Sequence, residues 1–272
     1  MPLRSLKPLV LVGAGKMGGA MLAGWLDHGL AGPDTVIVDP GIQGDMADLI
    51  ARHGVRHAST AADVDVTPAV LVLAVKPQSM ATVLPAVKPL VGPRTIVVSV
   101  AAGTTIATLA AGLGDGPIVR VMPNTPAQVG QGMAVAVGNA AVTAADRTVV
   151  TALTDAVGRT AWIDDESLMD AVTAVSGSGP AYVFLLAEYL AKAGEAAGLP
   201  PDVAALAARQ TVAGAGALLA ASPLDAATLR QNVTSPGGTT AAALAVLMAD
   251  DGLLPILTDA VAAAARRGRE LG

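Results

Sequence analysis

Leu9-Val10-Leu11-Val12-Gly13-Ala14-Gly15-Lys16-Met17-Gly18 is the stretch on which the reading of this chain turns. A short apolar run ends in the pattern G-x-G-x-x-G, and residues 17–28 continue with apolar positions at helical spacing. Strand, glycine turn and helix in that order are the context in which the pattern carries meaning. Gly13 permits the tight turn, Gly15 lets a pyrophosphate approach the backbone, and Gly18 lets helix and strand pack closely. The helix start then offers free N–H groups and a partial positive charge to the phosphates. Gly13, Gly15, Lys16, Met17 and Gly18 are therefore candidate dinucleotide contacts; a glycine-rich turn holding nothing is the alternative.

Further strand-like runs follow at 35–38, 70–75, 95–100 and 118–121, mostly continuously apolar, as parallel strands buried on both faces should be. Residues 134–137 and 160–163 add two short strands, with a helix over 143–157 between them. This rhythm predicts a doubly wound, Rossmann-type α/β sheet. After Asp164 strand patterns vanish, and Ala-rich helices are expected over 182–197, 202–221, 226–232, 239–250 and 255–270. Gly198-Leu199-Pro200-Pro201 and Ser222-Pro223 punctuate them. The expected organisation is a dinucleotide-binding domain over 1–163 and an all-helical substrate-binding and dimerisation domain over 164–272.

Composition narrows the function. With 53% hydrophobic and 14% charged residues among 272, the chain can bury a sizeable core. A net charge of −5 argues against a nucleic-acid surface. The basic run Arg266, Arg267 and Arg269 reads as complementing the dipole of a final helix. There is no cysteine, so disulfides and thiolate chemistry are excluded, and His28, His53 and His57, the only histidines, form no H-E-x-x-H motif. No metal site is expected. Mean hydropathy is +0.57, yet uncharged stretches such as 95–114 carry Gly, Ser and Thr, and none reads as ~20 consecutive apolar residues. Arg4 and Lys7 before 9–14 resemble a signal peptide, but Lys16 interrupts that segment. A cytoplasmic protein outside membranes is expected.

Asp39 ends the second strand, 21 residues after Gly18, where an acidic group can hydrogen-bond the adenosine ribose and repel a 2′-phosphate. Pro40-Gly41-Ile42 adds no cation, which tilts the reading toward NADH; a turn aspartate pointing away is the alternative. Lys76, in Val75-Lys76-Pro77, follows a strand on the ligand-binding side of an open sheet, or is a solvated loop lysine. Asn124, in Met122-Pro123-Asn124, either faces nicotinamide or substrate or holds a turn. Ser176–Pro180 reads locally as a Gly-rich entry to a long helix, which Ser176 can cap. In Ser235-Pro236-Gly237-Gly238-Thr239-Thr240 the glycines let successive N–H groups converge on an anion, and a helix follows; a plain turn with a Thr N-cap is the alternative.

Five segments resemble, in order and spacing, the pyrroline-5-carboxylate reductases across essentially the whole chain. They are 13–18, Ala74-Val75-Lys76-Pro77-Gln78, residues 120–126, Ser176-Gly177-Ser178-Gly179-Pro180-Ala181-Tyr182 and residues 235–240. The last two are the specific ones. The resemblance implies cofactor contacts at Ala74, Lys76 and Pro77, and a substrate carboxylate on Ser235, Gly237, Gly238 and Thr239 with Ser176 nearby. It implies that Thr240 hydrogen-bonds the ring nitrogen. It further implies reduction of the imine to L-proline with NAD(P)H, NADPH being the commoner cofactor in that family, and homodimers assembled into a larger oligomer, a decamer. The segment Val38-Asp39-Pro40-Gly41 departs from an NADPH pattern.

Two rivals stand beside this reading: a β-hydroxyacid dehydrogenase with the same two-domain plan, and a non-catalytic dinucleotide sensor. Aligning the glycine-rich lead-in of the hydroxyacid enzymes on Gly177-Ser178-Gly179 places their catalytic lysine at Val183, which has no proton to exchange. Leu206, Val212, Leu218 and Leu219, among alanines with few charges, predict helices apolar on more than one face and hence an obligate dimer.

Overall fold

The computed structural model describes residues 3–271. Met1, Pro2 and Gly272, which the two expected domains include, lie outside the described residues. Two compact units emerge: one runs through Gly177 and takes in the chain again from Ala264, and the other is Ser178–Ala263.

The first unit is built on a sheet of β1 (Leu9–Val12), β2 (Thr35–Val38), β3 (Arg56–Ala58), β4 (Val70–Leu73), β5 (Ile96–Ser99), β6 (Ile118–Met122), β7 (Gly132–Gly138) and β8 (Gly158–Trp162). The strand order is β3-β2-β1-β4-β5-β6-β7-β8. All neighbours are parallel except β6 and β7. The link from Met122 to Gly132 holds only the 3-10 segment Thr125–Val129. A parallel crossover takes about a dozen residues or more, so the chain turns back as an antiparallel neighbour.

Helices α1 (Lys16–Asp27), α2 (Asp45–His53), α3 (Met80–Val87), α4 (Ile106–Leu113) and α5 (Ala144–Asp155) cover the sheet. Side chains of β1 alternate between two cores. Leu9 and Leu11 pack in the cluster with Met21, Leu22 and Trp25 of α1, and Val10 and Val12 in the one with Leu84 of α3 and Leu109 of α4. Burial of the entire strand explains why 9–12 reads as unbroken apolar sequence. The Trp25 indole, fully buried, donates to the Leu153 carbonyl at 2.7 Å and ties α1 to α5. Thr143 caps α5 reciprocally with Asp146.

Strands expected at 70–75 and 95–100 are shorter, Val70–Leu73 and Ile96–Ser99; the Ala74 and Val100 amides still bond to the neighbouring strands, and residues 74–77 and 100–102 line a cleft. Unforeseen are the edge strand β3, too short and polar to carry a pattern, and the positions of α3 and α4; α2 ends at His53, where a helix end was expected.

The change in sequence character at Asp164 and the break in packing do not coincide. After β8 come a 3-10 turn (Glu166–Leu168), α6 (Met169–Val172) and a π-helical turn (Thr173–Gly177), all belonging to the first unit. Met169 and Ala174 are buried there, and Glu166 pairs with Arg120. Those contacts keep the segment with the sheet although no strand remains.

The second unit contains α7 (Gly179–Ala196), α8 (Pro201–Ala221), α9 (Ala226–Asn232), α10 (Thr239–Leu247) and the start of α11 (Leu253–Leu271), whose end lies in the first unit. Helices α7 and α8 form a hairpin around Gly198, at φ +100°, and a Cβ added at Gly194 would lie 3.3 Å from that of Ala204. Only Ala204 and Ala208 are buried in α8, and no residue of α7 or α10 is. Large apolar side chains face outward, among them Phe184 (66% exposed), Leu206 (70%) and Leu254 (76%). Among the described residues one helix, Pro201–Ala221, is long and apolar enough to cross a membrane by length and composition. No long helix was expected to pass that test. Its apolar residues belong to the outward face of this same hairpin.

Candidate functional site

The sheet order reverses between β1 and β4, and an open parallel sheet binds ligands beyond the carboxyl ends of its strands at such a point. Val12 is paired with both Val38 and Leu73, so the residues after all three strands emerge on one edge. The Gly13 amide donates to the Val38 carbonyl at 2.9 Å and the Ala74 amide to the Val12 carbonyl at 2.8 Å.

The glycines there are sterically required. Gly13 sits at φ +91°, and a Cβ on it would come within 2.8 Å of the Ala74 carbonyl oxygen. A Cβ on Gly18 would lie 2.1 Å from the Gly13 oxygen. Gly15, by contrast, faces open space, with nothing within 4 Å of an added Cβ. Gly15 is also the N-cap of α1 and supplies no side-chain cap, so the first N–H groups of that helix remain available. A cleft of about 510 Å³ opens here, lined by Gly15, Lys16, Met17, Ala74, Lys76 and Pro77 together with 100–102. Lys16 and Lys76 are exposed and, among the described residues, neither makes an ion pair. A bare helix start, a glycine with clear space before it and two uncompensated cations fit a dinucleotide pyrophosphate.

Asp39 turns toward this loop. Its Oδ2 accepts from the Ala14 amide at 2.8 Å, and its Oδ1 from the Gly41 amide at 2.9 Å. The Asp39 main chain is held by β3: its N–H donates to the Ala58 carbonyl at 3.1 Å, and the His57 Nε2 lies 2.8 Å from its carbonyl oxygen. His57 is thus a residue of the site that sequence reading treated only as a missing metal ligand.

Asn124 lies outside the cleft lining and uses its amide internally. Oδ1 accepts from the Met133 amide at 2.8 Å and Nδ2 donates to the Ser176 carbonyl at 3.0 Å. Ser176 does not cap α7, whose N-cap is Ser178. Instead its hydroxyl donates to the Val172 carbonyl at 3.0 Å within the π-helical turn. Nearby, Arg120 on β6 is 7% exposed and pairs with Glu166 at 3.0 Å, and the same Glu166 oxygen accepts from the Ile106 amide at 2.9 Å. Sequence reading missed Glu166. The signal was an arginine inside the apolar run Ile118-Val119-Arg120-Val121, since a charge buried in a strand demands a partner.

The second group of candidates lies in the second unit. Gly237 adopts φ +68°, and the Gly238 amide donates to the Ser235 carbonyl at 3.1 Å, closing the loop. A Cβ on Gly238 would lie 2.5 Å from the Ser235 Oγ. The N-cap of α10 is Gly238, with no side-chain cap, so Thr239 and Thr240 are its first two helical residues. Neither threonine caps the helix, and its first N–H groups have no intrahelical acceptor. The Thr240 hydroxyl is half-buried and has no hydrogen-bond partner among the described residues.

Comparison with known proteins gives these two groups a common frame. Residues 166–271 match the family model for pyrroline-5-carboxylate reductase dimerisation. Residues 8–103 match the model described as NADP oxidoreductase coenzyme F420-dependent. A pyrroline-5-carboxylate reductase of Pseudomonas aeruginosa is 40% identical over 97% of this chain and 96% of its own length. The structure of a pyrroline-5-carboxylate reductase from Coxiella burnetii superposes with a TM-score of 0.91 at 32% identity, covering 98% of this chain and 99% of its own. A Plasmodium falciparum pyrroline carboxylate reductase with NADP bound does so with a TM-score of 0.81 at 29% identity, covering 99% of each. With relatives this similar along nearly its whole length, the chain belongs to the pyrroline-5-carboxylate reductase family.

Proposed function

We propose that this protein reduces the C=N bond of 1-pyrroline-5-carboxylate with NAD(P)H, giving L-proline in proline synthesis. The observation that carries the reading is the start of α10: a glycine loop, a helix N-terminus with no side-chain cap and a threonine hydroxyl with no hydrogen-bond partner among the described residues. The substrate offers one carboxylate and one ring nitrogen, and this loop offers N–H donors and one hydroxyl. Residues 1–163 are read as dinucleotide-binding and 164–272 as substrate-binding and dimerising.

The bound dihydronicotinamide supplies a hydride to the imine carbon. In this reading Ser235, Gly237, Gly238 and Thr239 hold the carboxylate, and Ser176 lies near the substrate. Thr240 orients the ring nitrogen. Gly13, Gly15, Lys16, Met17 and Gly18, with Ala74, Lys76 and Pro77, hold the dinucleotide, and Asp39 and Asn124 complete its surroundings. An imine bound in its protonated form needs no strong general acid, which accords with a substrate loop, residues 235–240, that holds neither histidine nor cysteine.

The hydroxyacid-dehydrogenase alternative lacks a base. Val183 occupies the aligned position, and Lys192, further along α7, pairs with Glu188 at 2.6 Å. The hydrogen bond to Glu188 raises the Lys192 pKa, so it stays charged and cannot accept a hydroxyl proton.

The match to the family's dimerisation model, residues 166–271, spans the second unit and supports a homodimer. Further assembly into a decamer in the cytoplasm is part of the proposal, supported by the resemblance and by outward apolar residues on α10 and α11. A steady-state panel tests the activity: pyrroline-5-carboxylate, 3-hydroxyisobutyrate and 6-phosphogluconate, each with both nicotinamide cofactors. Imine reduction alone is expected. Oxidation of either hydroxy acid without imine reduction overturns the assignment, and no turnover at all favours a sensor.

A further inference from the structure

The loop that would meet the adenosine ribose is anionic and, among the described residues, carries no cation of its own. Asp39 ends β2, and the loop from Pro40 to Gly44 is uncharged. The helix beyond opens with Asp45 and Asp48 in its first turn, while its basic residues, Arg52 and His53, lie in its last turn. From Asp45 to Arg52 is about 10 Å along a helix. Arg56 of β3 is already committed to Asp65. The hydrogen bond from Arg56 and its charge draw the Asp65 carboxyl below the usual range.

Asp39 itself is not free to swing aside. Both carboxylate oxygens are taken by backbone amides, Ala14 of the glycine loop and Gly41. Its peptide is held from β3 on both sides, by the Ala58 carbonyl and the His57 ring. An acceptor-only group fixed beside the glycine loop suits the two hydroxyls of an NADH ribose. The 2′-phosphate of NADPH brings a charge of roughly −1.5 to −2 at neutral pH to the same place. Among the described residues the loop from Pro40 to Gly44 offers it no arginine or lysine, and the fixed carboxylate repels it.

We propose that the loop after β2 selects NADH over NADPH, with Asp39 as the discriminating residue and His57 as the positioning residue that holds the Asp39 peptide. This rests on the reading of the first unit as a dinucleotide site and goes beyond it in naming the nucleotide and the device that chooses it.

The test is direct binding, independent of any imine: dissociation constants of NADH and NADPH by cofactor fluorescence titration on the full-length protein. Wild type should bind NADH at least about tenfold more tightly, since removing one close charge repulsion changes affinity by roughly that factor. Asp39→Ser should narrow the ratio about tenfold by strengthening NADPH. His57→Ala should narrow it several-fold, and His57→Gln, which keeps a side-chain N–H, should restore it. Gln43→Arg adds a cation to the exposed loop without touching Asp39 and should move the ratio toward NADPH even where Asp39→Ser folds poorly. Wild type binding NADPH as tightly as NADH overturns the proposal. An unchanged ratio in both Asp39→Ser and Gln43→Arg does the same, and an unchanged ratio in His57→Ala removes His57 from it. NADH preference in a protein that does not reduce the imine would sink the proposed reaction and leave the selectivity standing.

Discussion

Thr240 is the second residue of α10, behind a glycine N-cap that contributes no side chain. A threonine in that place neither caps its helix nor bonds to a neighbour, so its hydroxyl is available to a ligand. Thr240→Ala should lower kcat about tenfold or more, the worth of one hydrogen bond made as the imine reacts, and should leave cofactor affinity nearly unchanged. Separate measurement of kcat and of the cofactor dissociation constant decides this, and wild-type turnover would remove Thr240 from the chemistry. Asn124 shows the opposite arrangement. Its two amide ends are spent on Met133 and Ser176, so its first duty is to fix the chain between β6, β7 and the π-helical turn. Both side chains are short polar groups within two residues of a Pro or Gly in the sequence, and only their hydrogen-bond partners separate their roles.

Glu166 joins three elements at once. It neutralises Arg120 of β6, accepts from the first helical amide of α4 and anchors the segment that leaves the sheet after β8. Glu166→Ala leaves a nearly buried guanidinium without its counter-charge, which costs about 3 kcal/mol or more. Chemical denaturation should show that loss. The pair Arg120→Met with Glu166→Gln should recover part of it, because no unpaired charge then remains inside. Equal stability of Glu166→Ala and wild type would show the Arg120 charge to be solvated after all. At the same scale, the glycine loop works because strand and helix are both anchored before they reach it. β1 is buried along its length, and Trp25 pins α1 to α5.

Across the whole molecule, the two units differ in how they treat apolar sequence. The first encloses it on both faces of a sheet, whereas the second leaves Phe184, Leu206, Leu218, Leu219 and Leu254 outward. An outward apolar face over residues that match the family's dimerisation model accords with burial by a second copy of the chain. Light scattering at micromolar concentration should find a dimer or a larger species. Leu206→Glu should shift the population toward smaller species with the helical circular dichroism unchanged. A stable wild-type monomer would contradict the expected obligate pairing.

Local signals determined much of this protein. Apolar runs, the G-x-G-x-x-G turn, proline and glycine punctuation and alanine-rich periodicity announce their elements because strand, turn and helix preferences act over a few residues. The Rossmann-type sheet, the helical second unit and the positions of the glycine loops were legible in this way. Long-range contacts decided the rest. β3 exists because Val36, Ile37 and Val38 offer a sheet edge to the polar Arg56-His57-Ala58, which has no pattern of its own. β7 runs antiparallel because the link before it is too short to cross over. Composition changes at Asp164 but packing breaks at Gly177, since Glu166, Met169 and Ala174 find partners in the first unit. The direction of Asp39 was open in the sequence because a turn before Pro40-Gly41 serves either orientation. It is closed by the amide of Ala14, 25 residues away, a partner that only the folded sheet brings within hydrogen-bond reach.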